Sequence, residues 1–410
     1  MGSRHNIVFL PRFLWDGSLA RKVHTDHNTA FWLAQRNDVF YMNPVPLRFL
    51  ARYPGVIKKF VSRVKEIPFP GGRIVFEYFV LPFDTRWSWD SLGFNQSVAL
   101  KAIWNAINRY RLRDFILWIS DPSQGSLVGE LGERLSVYQC SDDPIHACDR
   151  EDYRVRIEIA ERKLLSKVDL VFATSRVLYE ERRMVNEKTY LVPNGVDADR
   201  FLRAAKERPI EPVDLRDIPN PRIAFVGNLD DRLDWVLLQV LADRNPSYSF
   251  VFIGNVSRRA SSDVRQAIQD LSRRANVYLV GHKRNDQIPS YFVHFAAGMI
   301  PYRRTKYLDA VFPLKMFEYL AGLIPVVTTD LESLREYEGL INIARTPDEF
   351  SQMLQLSVRD GLRDRDHIEQ FGRENGWDRR VETMEAFIAQ ELDGRMGQVA
   401  PVAGIAATQC

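Results

Sequence analysis

Short runs of β-branched and aromatic residues recur along this chain, each closed by Pro, Gly, Ser or Asp and followed by a longer stretch with helical spacing. The first half carries NIVFLP, DVFYMNPV, IVFEYFVLPF, FILWIS, LSVYQCSD, VDLVFATS and YLVPNG; the second carries RIAFVGNL, SFVFIGN, NVYLVGHK, AAGMIPY, IPVVTT and INIA. Strands joined through helices pair in parallel, because returning to the sheet in the same direction requires a long crossover. The alternation therefore predicts an α/β chain of two Rossmann-like units, each a parallel sheet wrapped by helices. LRAAKERPIEPVDLRDIPNP, residues 202–221, is charged and proline-bearing and reads as the connection between them. A length of 410 residues agrees, since a single ordinary core stops growing well short of it.

Three cysteines, Cys140, Cys148 and Cys410, show no CxxC spacing, which speaks against a disulfide framework or a zinc site. The N-terminal apolar run is too short for a secretory signal, and no uncharged apolar stretch reaches about eighteen residues, so a cytoplasmic protein is expected. Residues 395–410 lead into a run of small residues and are expected to form a disordered tail. The net charge of +3 is concentrated in residues 47–67, where Arg48, Arg52, Lys58, Lys59, Arg63 and Lys65 interleave with aromatic and aliphatic groups. Such a segment suits an anionic membrane surface or a solvated helix with one core-facing stripe, and the two readings weigh equally. No nucleic acid partner is expected.

In sheets of this kind ligands sit beyond the carboxyl ends of the strands, at helix N-termini. FPLKMFEYLAGLIPVVTTD, from Phe312 to Asp330, fits such a place. Pro313 suits the first helical position, Leu314 and Lys315 follow in the first turn, and an apolar run then returns to the sheet. Amide hydrogens, the helix dipole and the Lys315 ammonium would together receive a diphosphate; Glu318, on the same face, could accept paired hydroxyls such as those of a ribose. An i,i+3 ion pair on an ordinary crossover helix is the alternative that spacing alone allows. Gly227, Gly254 and Gly281 close three strands, yet none belongs to a GxGxxG turn, which argues against a dinucleotide oxidoreductase. Asp142 and Asp143 could supply a general base or cap the following turn. His24 and His27 stand three apart in RKVHTDHNTA, and without a third spaced ligand they do not make a metal site.

The segment from Phe312 resembles the donor site of GT-B glycosyltransferases of the family 4 type, where a P-x-K-x-x-E-Y-L-A pattern holds the nucleotide diphosphate and ribose. LLSKVDLVFATSRVLYEE and YLVPNGVDADRF resemble the approach to that family's hinge, RIAFVGNLDDRLDWVLL its opening nucleotide-domain strand and helix, and NGWDRRVETMEAFI its final helix. FLWDGSLARKVHTDH, VFYMNPV and SVYQCSDDP are similar to the teichuronic-acid and exopolysaccharide subgroup, which includes inverting glucuronosyltransferases of xanthan assembly.

The resemblance implies a GT-B architecture with parallel sheets facing across a cleft: an acceptor domain at 1–204, a donor domain at 205–377, and a helix at about 378–394 crossing back to the first domain. It implies donor contacts from Gly227, Asn228, Arg232, His282, Tyr302, Pro313, Leu314, Lys315 and Glu318. Arg232 and Lys315 would serve the diphosphate, Glu318 the ribose, His282 the nucleobase, and Tyr302 the pyrophosphate strand end. Trp15, Gly17, His24 and His27 would line the acceptor cleft, with Asp142 or Asp143 as base. Asn228 and Ala310 depart from the family pattern, standing where many relatives carry an Arg and the first Glu of a Glu-x7-Glu pair. The implied activity is transfer of a hexosyl or glycuronosyl group, without metal or cofactor, from a UDP-type nucleotide sugar to a hydroxyl of a glycan or lipid-linked glycan. It would take place at the inner face of the cell membrane. A nucleotide-sugar 2-epimerase of the same fold and a noncatalytic nucleotide-binding scaffold are the alternatives.

Overall fold

A computed structural model describes residues 4–15, 24–47, 50, 65–82, 92–147 and 150–398. Gly17, most of the basic segment, Cys148, Cys410 and residues 399–410 lie outside the described residues. Two sheets dominate. The first joins β1 (Asn6–Leu10), β2 (Asp38–Pro46), β3 (Lys65–Phe69), β4 (Gly72–Leu81), β5 (Ile116–Ile119), β6 (Leu135–Cys140), β7 (Leu170–Ala173) and β8 (Thr189–Leu191) in the order β3-β4-β2-β1-β5-β6-β7-β8. The second joins β9 (Arg222–Val226), β10 (Ser249–Ile253), β11 (Val277–Gly281), β12 (Ala297–Ile300), β13 (Val326–Thr329) and β14 (Asn342–Ala344) in the order β11-β10-β9-β12-β13-β14.

Among the described strands every pairing is parallel except β3 with β4. That antiparallel edge corrects the reading of residues 47–67, whose last three residues belong to β3 rather than to a helix. Pro68 lies in β3, and a proline cannot donate to a ladder, so only an edge strand tolerates it there.

Strand order creates the place for a ligand. In the first sheet the chain runs from β1 through β2 to β4 on one side and from β5 to β8 on the other; in the second it runs from β9 to β11 on one side and from β12 to β14 on the other. At β1/β5 and at β9/β12 the connections diverge to opposite faces, leaving a crevice beyond the carboxyl ends of the strands.

The second domain has one continuous core, whereas the first has an apolar cluster on each face of its sheet. The helix Trp377–Gln398 leaves the second domain and buries Val381, Met384, Ile388 and Leu392 against Ile7, Phe9 and Tyr41 of the first. Their spacing is that of one helical face. Lys188 Nζ meets Glu391 at 2.7 Å, and Arg395 pairs with Asp169, so residues 395–398 extend this helix instead of beginning a tail.

The expected connection over 202–221 also needs correction. Ala198–Glu207 is a helix that buries Ala198, Phe201, Leu202 and Ala205 in the core of the second domain. Residues 192–197 make the crossing, and Val196 N–H donates to Asn375 O at 3.1 Å while Trp377 N–H donates to Val196 O at 3.1 Å, fastening the two crossings together. No described helix is long and apolar enough to cross a membrane.

Candidate functional site

Residues 227–234 follow β9 into the second crevice and are pinned on both sides. Gly227 N–H donates to Ile253 O at 2.8 Å, Asp234 N–H to Pro301 O at 2.8 Å, and Arg303 N–H to Arg232 O at 2.8 Å. Gly227 adopts φ 151°, and a Cβ placed there would stand 2.5 Å from Lys315 Cε and 2.8 Å from its Nζ. The missing side chain is what makes room for the lysine. Lys315 projects from the helix Leu314–Ala321, donates from Nζ to Tyr302 Oη at 3.1 Å, and lies 5.4 Å from the Phe225 ring centroid. Among the described residues it forms no salt bridge.

Arg232 is held differently. Its guanidinium sits 5.7 Å from the Tyr302 ring centroid and is gripped by Asp230 through Nε–Oδ1 at 3.0 Å and Nη2–Oδ2 at 2.7 Å. Tyr302 is buried between these two cations. Burial alone would raise its hydroxyl, but Lys315 and Arg232 outweigh it and the group falls below its ordinary value. Glu318, one turn along from Lys315, is pushed upward by burial, with Lys315 and Arg200 opposing. Among the described residues no side-chain donor bonds to its carboxylate.

Pro313 is the N-cap (φ −70°, ψ 108°) rather than the first helical residue, and no side chain caps the helix. Leu314 and Lys315 therefore open the helix with amides that no capping side chain occupies. Asn228 is exposed, and His282 stands exposed after the edge strand β11, with β10 between that strand and β9. Ala310 is buried in the apolar cluster of the first domain, and its carbonyl accepts Ser175 Oγ at 2.6 Å. At that position a small residue serves as the seat of one domain on the other.

Across the crevice, the loop after β1 presents Arg12. Asp26 accepts the Arg12 N–H at 2.7 Å and the Phe13 N–H at 3.3 Å, and Gln124 Nε2 donates to Pro11 O at 3.1 Å, so the loop is fixed from two directions. Arg12 Nη1 stands 3.5 Å from Asp142 Oδ2. Burial works against the Arg12 charge, yet Asp142, Asp121, Tyr307 and Asp26 together raise its pKa. Tyr307, from the second domain, is raised by burial and further by Asp142, while Arg232 and Arg12 pull the other way. The two walls thus interact electrostatically through Tyr307.

The paired aspartates part company. Asp142 keeps a side chain 29% exposed toward Arg12. Asp143 is buried, accepting Ile145 N–H at 3.0 Å and His146 Nδ1 at 2.5 Å, with Arg182 3.6 Å away. Asp143 therefore builds the turn and does not face the crevice. His24 stacks on Phe13 at 3.9 Å and is held down to about 4 by burial, Asp142 opposing and Arg12 assisting.

Trp15 and His27, expected in the cleft, are core groups instead. Their rings stack at 5.3 Å, and Trp15 meets Tyr41 and Phe76 edge-on. Trp15 is held by its Tyr41 and Phe76 contacts, and His27, on the helix Thr25–Leu33, is buried against it. Gly17 lies outside the described residues. Among the described residues no cluster of three His, Cys, Asp or Glu is placed to hold a metal ion. Arg12 and Tyr307 escaped the sequence reading; the signal was that Arg12 stands two residues past β1, the strand at which the order reverses.

Residues 220–360 match the family described as Glycosyl transferases group 1. A Bacillus subtilis (strain 168) protein named as a glycosyltransferase of teichuronic acid biosynthesis is 30% identical over 227 residues. That match covers 53% of this chain and 56% of the relative, so the chain spans about half the length of the curated relative it matches. Among solved structures, the chain is similar to sucrose-phosphate synthase from Thermosynechococcus elongatus (TM-score 0.68, 16% identity, 95% of this chain and 100% of that one). It is similar also to the E. coli trehalose-6-phosphate protein bound with UDP-2-fluoro glucose (TM-score 0.67, 13% identity, 97% and 100%). An Anabaena protein in complex with UDP and glucose aligns with TM-score 0.63 at 14% identity over 94% of this chain and 99% of that one.

Proposed function

We propose that this chain, which has the GT-B fold and a group 1 glycosyl transferase domain over residues 220–360, transfers a sugar from a UDP-sugar to a hydroxyl of a glycan or lipid-linked glycan in cell-surface polysaccharide synthesis. The observation that carries the reading is Lys315: an ammonium without a carboxylate partner among the described residues, set at an uncapped helix start and seated where Gly227 has no side chain. Such a place favours two adjacent phosphates. UDP is the inferred nucleotide because two structures of like fold carry UDP or a UDP-sugar. The named role of the Bacillus relative supports a surface polysaccharide as product.

In this reading the donor diphosphate lies against the Leu314 and Lys315 amides, with Lys315 and Arg232 beside it and Glu318 accepting the ribose hydroxyls. Asp142 takes the proton from the acceptor hydroxyl as its oxygen bonds the anomeric carbon and the bond from that carbon to UDP breaks, inverting the centre. The negative charge that develops on the leaving UDP is met by fixed cations and amides, the task a divalent ion performs elsewhere. No metal or cofactor is required in this scheme. Closure about residues 192–197 would exclude water from the reacting atoms. A membrane-bound acceptor would bring the protein to the inner face of the membrane.

A UDP titration followed by UDP-sugar panels with membrane acceptors tests the reading. UDP should bind, one sugar should be transferred with UDP released, and Lys315→Ala should weaken UDP at least about tenfold. Unchanged UDP affinity in both Lys315→Ala and Glu318→Ala would overturn the donor site. Epimerised sugar appearing without acceptor would replace transfer by epimerisation.

A further inference from the structure

Away from the domain crevice, the first domain carries a groove of about 480 Å³ between the helix Glu151–Leu165 and the turn Pro122–Leu127. Arg156, Lys163 and Lys167 stand on it, and among the described residues its lining contains no carboxylate. Ser123, Ser126 and Gln96 add hydroxyl and amide groups opposite, while exposed Ile159 leaves apolar surface between Arg156 and Lys163. Arg156 and Lys163 are seven helical residues apart, so their stems are spaced by about 10 Å along the axis. A single phosphate would be met by a convergent cluster of cations; a row spaced in this way matches a chain with separate negative charges.

The groove is tied to the reaction crevice through one segment. Asp121 caps the turn Pro122–Leu127, accepting Ser123 N–H at 2.9 Å, and Gln124 of the same turn holds Pro11 beside Arg12. Ser123 and Ser126 line the groove while their neighbours Asp121 and Gln124 position the loop that carries Arg12. The turn Pro122–Leu127 thus borders the groove on one side and supports the Arg12 loop on the other.

We propose that this groove is an acceptor subsite for an anionic oligosaccharide, one carrying carboxylate or phosphate groups on more than one sugar unit, an inference that rests on the glycosyltransferase reading. The cations bind the charged substituents, the hydroxyl and amide groups bind sugar hydroxyls, and Ile159 meets the apolar face of a ring.

The test titrates the full chain with a galacturonate tetrasaccharide, a tetrasaccharide bearing phosphate groups, neutral maltotetraose and inorganic pyrophosphate, with UDP titrated separately. One or both charged tetrasaccharides should bind at least about tenfold tighter than maltotetraose, weakening with salt. The better of the two identifies carboxylate or phosphate as the recognised group. Lys163→Glu with Lys167→Glu should lower that affinity about tenfold or more, and the milder Lys163→Gln with Lys167→Gln should lower it less, while both retain UDP binding as the control for folding.

Equal binding of charged and neutral tetrasaccharides, no binding of either charged one, or unchanged affinity in both double variants would overturn the groove. Pyrophosphate competing as well as the charged chain would overturn it too, pointing instead to the headgroup of a lipid diphosphate. Failure of the wild type to bind UDP would remove the transferase reading itself, an outcome separate from these.

Discussion

Asp142 and Asp143 are neighbours in sequence with opposite circumstances, and their substitutions should separate accordingly. Asp142→Asn is expected to lower kcat by about 10²- to 10⁴-fold with UDP affinity unchanged, measured by UDP release and by titration. Asp143→Asn removes one of the carboxylates around buried Arg182 and should instead cost about 1–3 kcal/mol in a denaturant melt. Asp26 and His24 give a pH signature. Burial raises the Asp26 carboxyl from 3.8 to about 6, opposed by the Arg12 and Phe13 amides, so the folded state binds a proton that the unfolded state has released, and stability falls as pH rises from 4 to 6. Burial lowers His24 from 6.5 to about 4, so here the unfolded state binds the extra proton and stability rises over pH 4 to 6.5. Each spans roughly two pK units, up to about 3 kcal/mol, and in the intact protein the slopes oppose. Relative to wild type, His24→Gln should lose stability between pH 4 and 6 and Asp26→Asn should gain it, read from denaturation midpoints; parallel curves for all three proteins would refute the assignment. None of this was legible from residue type, because an Asp or His carries its charge or not according to neighbours that the fold supplies.

At the scale of elements, the helix Leu314–Ala321 and the loop after β9 act as one unit. Gly227→Ala would put a Cβ against the end of the Lys315 side chain and hold a non-glycine residue at φ 151°. It should cost about 1–3 kcal/mol and weaken UDP several-fold by moving the ammonium. Gly254→Ala is expected to be worse for stability, since its Cβ would meet the Gly227 carbonyl oxygen, a backbone atom that cannot swing aside. Elements were legible where composition and period agreed, as in the apolar runs around β1, β5, β9 and β12. The helix Ala198–Glu207 was hidden although Ala198, Phe201, Leu202 and Ala205 have helical spacing, because Pro209, Pro212, Pro219 and Pro221 that follow made the whole segment look like a linker. β3 was hidden because a five-residue edge strand with a proline and two charges lacks the alternation by which strands are recognised.

For the whole molecule, the helix Trp377–Gln398 ties the second domain back onto the first. Met384→Ala opens a cavity in the first domain and should cost about 2–5 kcal/mol. In a melt followed by hydrogen exchange, amides of β1 and β2 should lose protection while those of β9 and β10 keep theirs. Equal loss in both sheets would mean that the helix stabilises the assembly and not one domain. Alternating strand and helix patterns by themselves determined two parallel sheets and the helix bearing Lys315, since periodicity and strand-closing residues are local properties written along the chain. Which aspartate faces the crevice, that Arg12 and Tyr307 meet there, and that Trp15 and His27 turn inward were decided only in three dimensions. The first two depend on groups more than a hundred residues apart, as with Arg12 beside Asp142, and the third on rings from separate strands; no local period encodes such contacts.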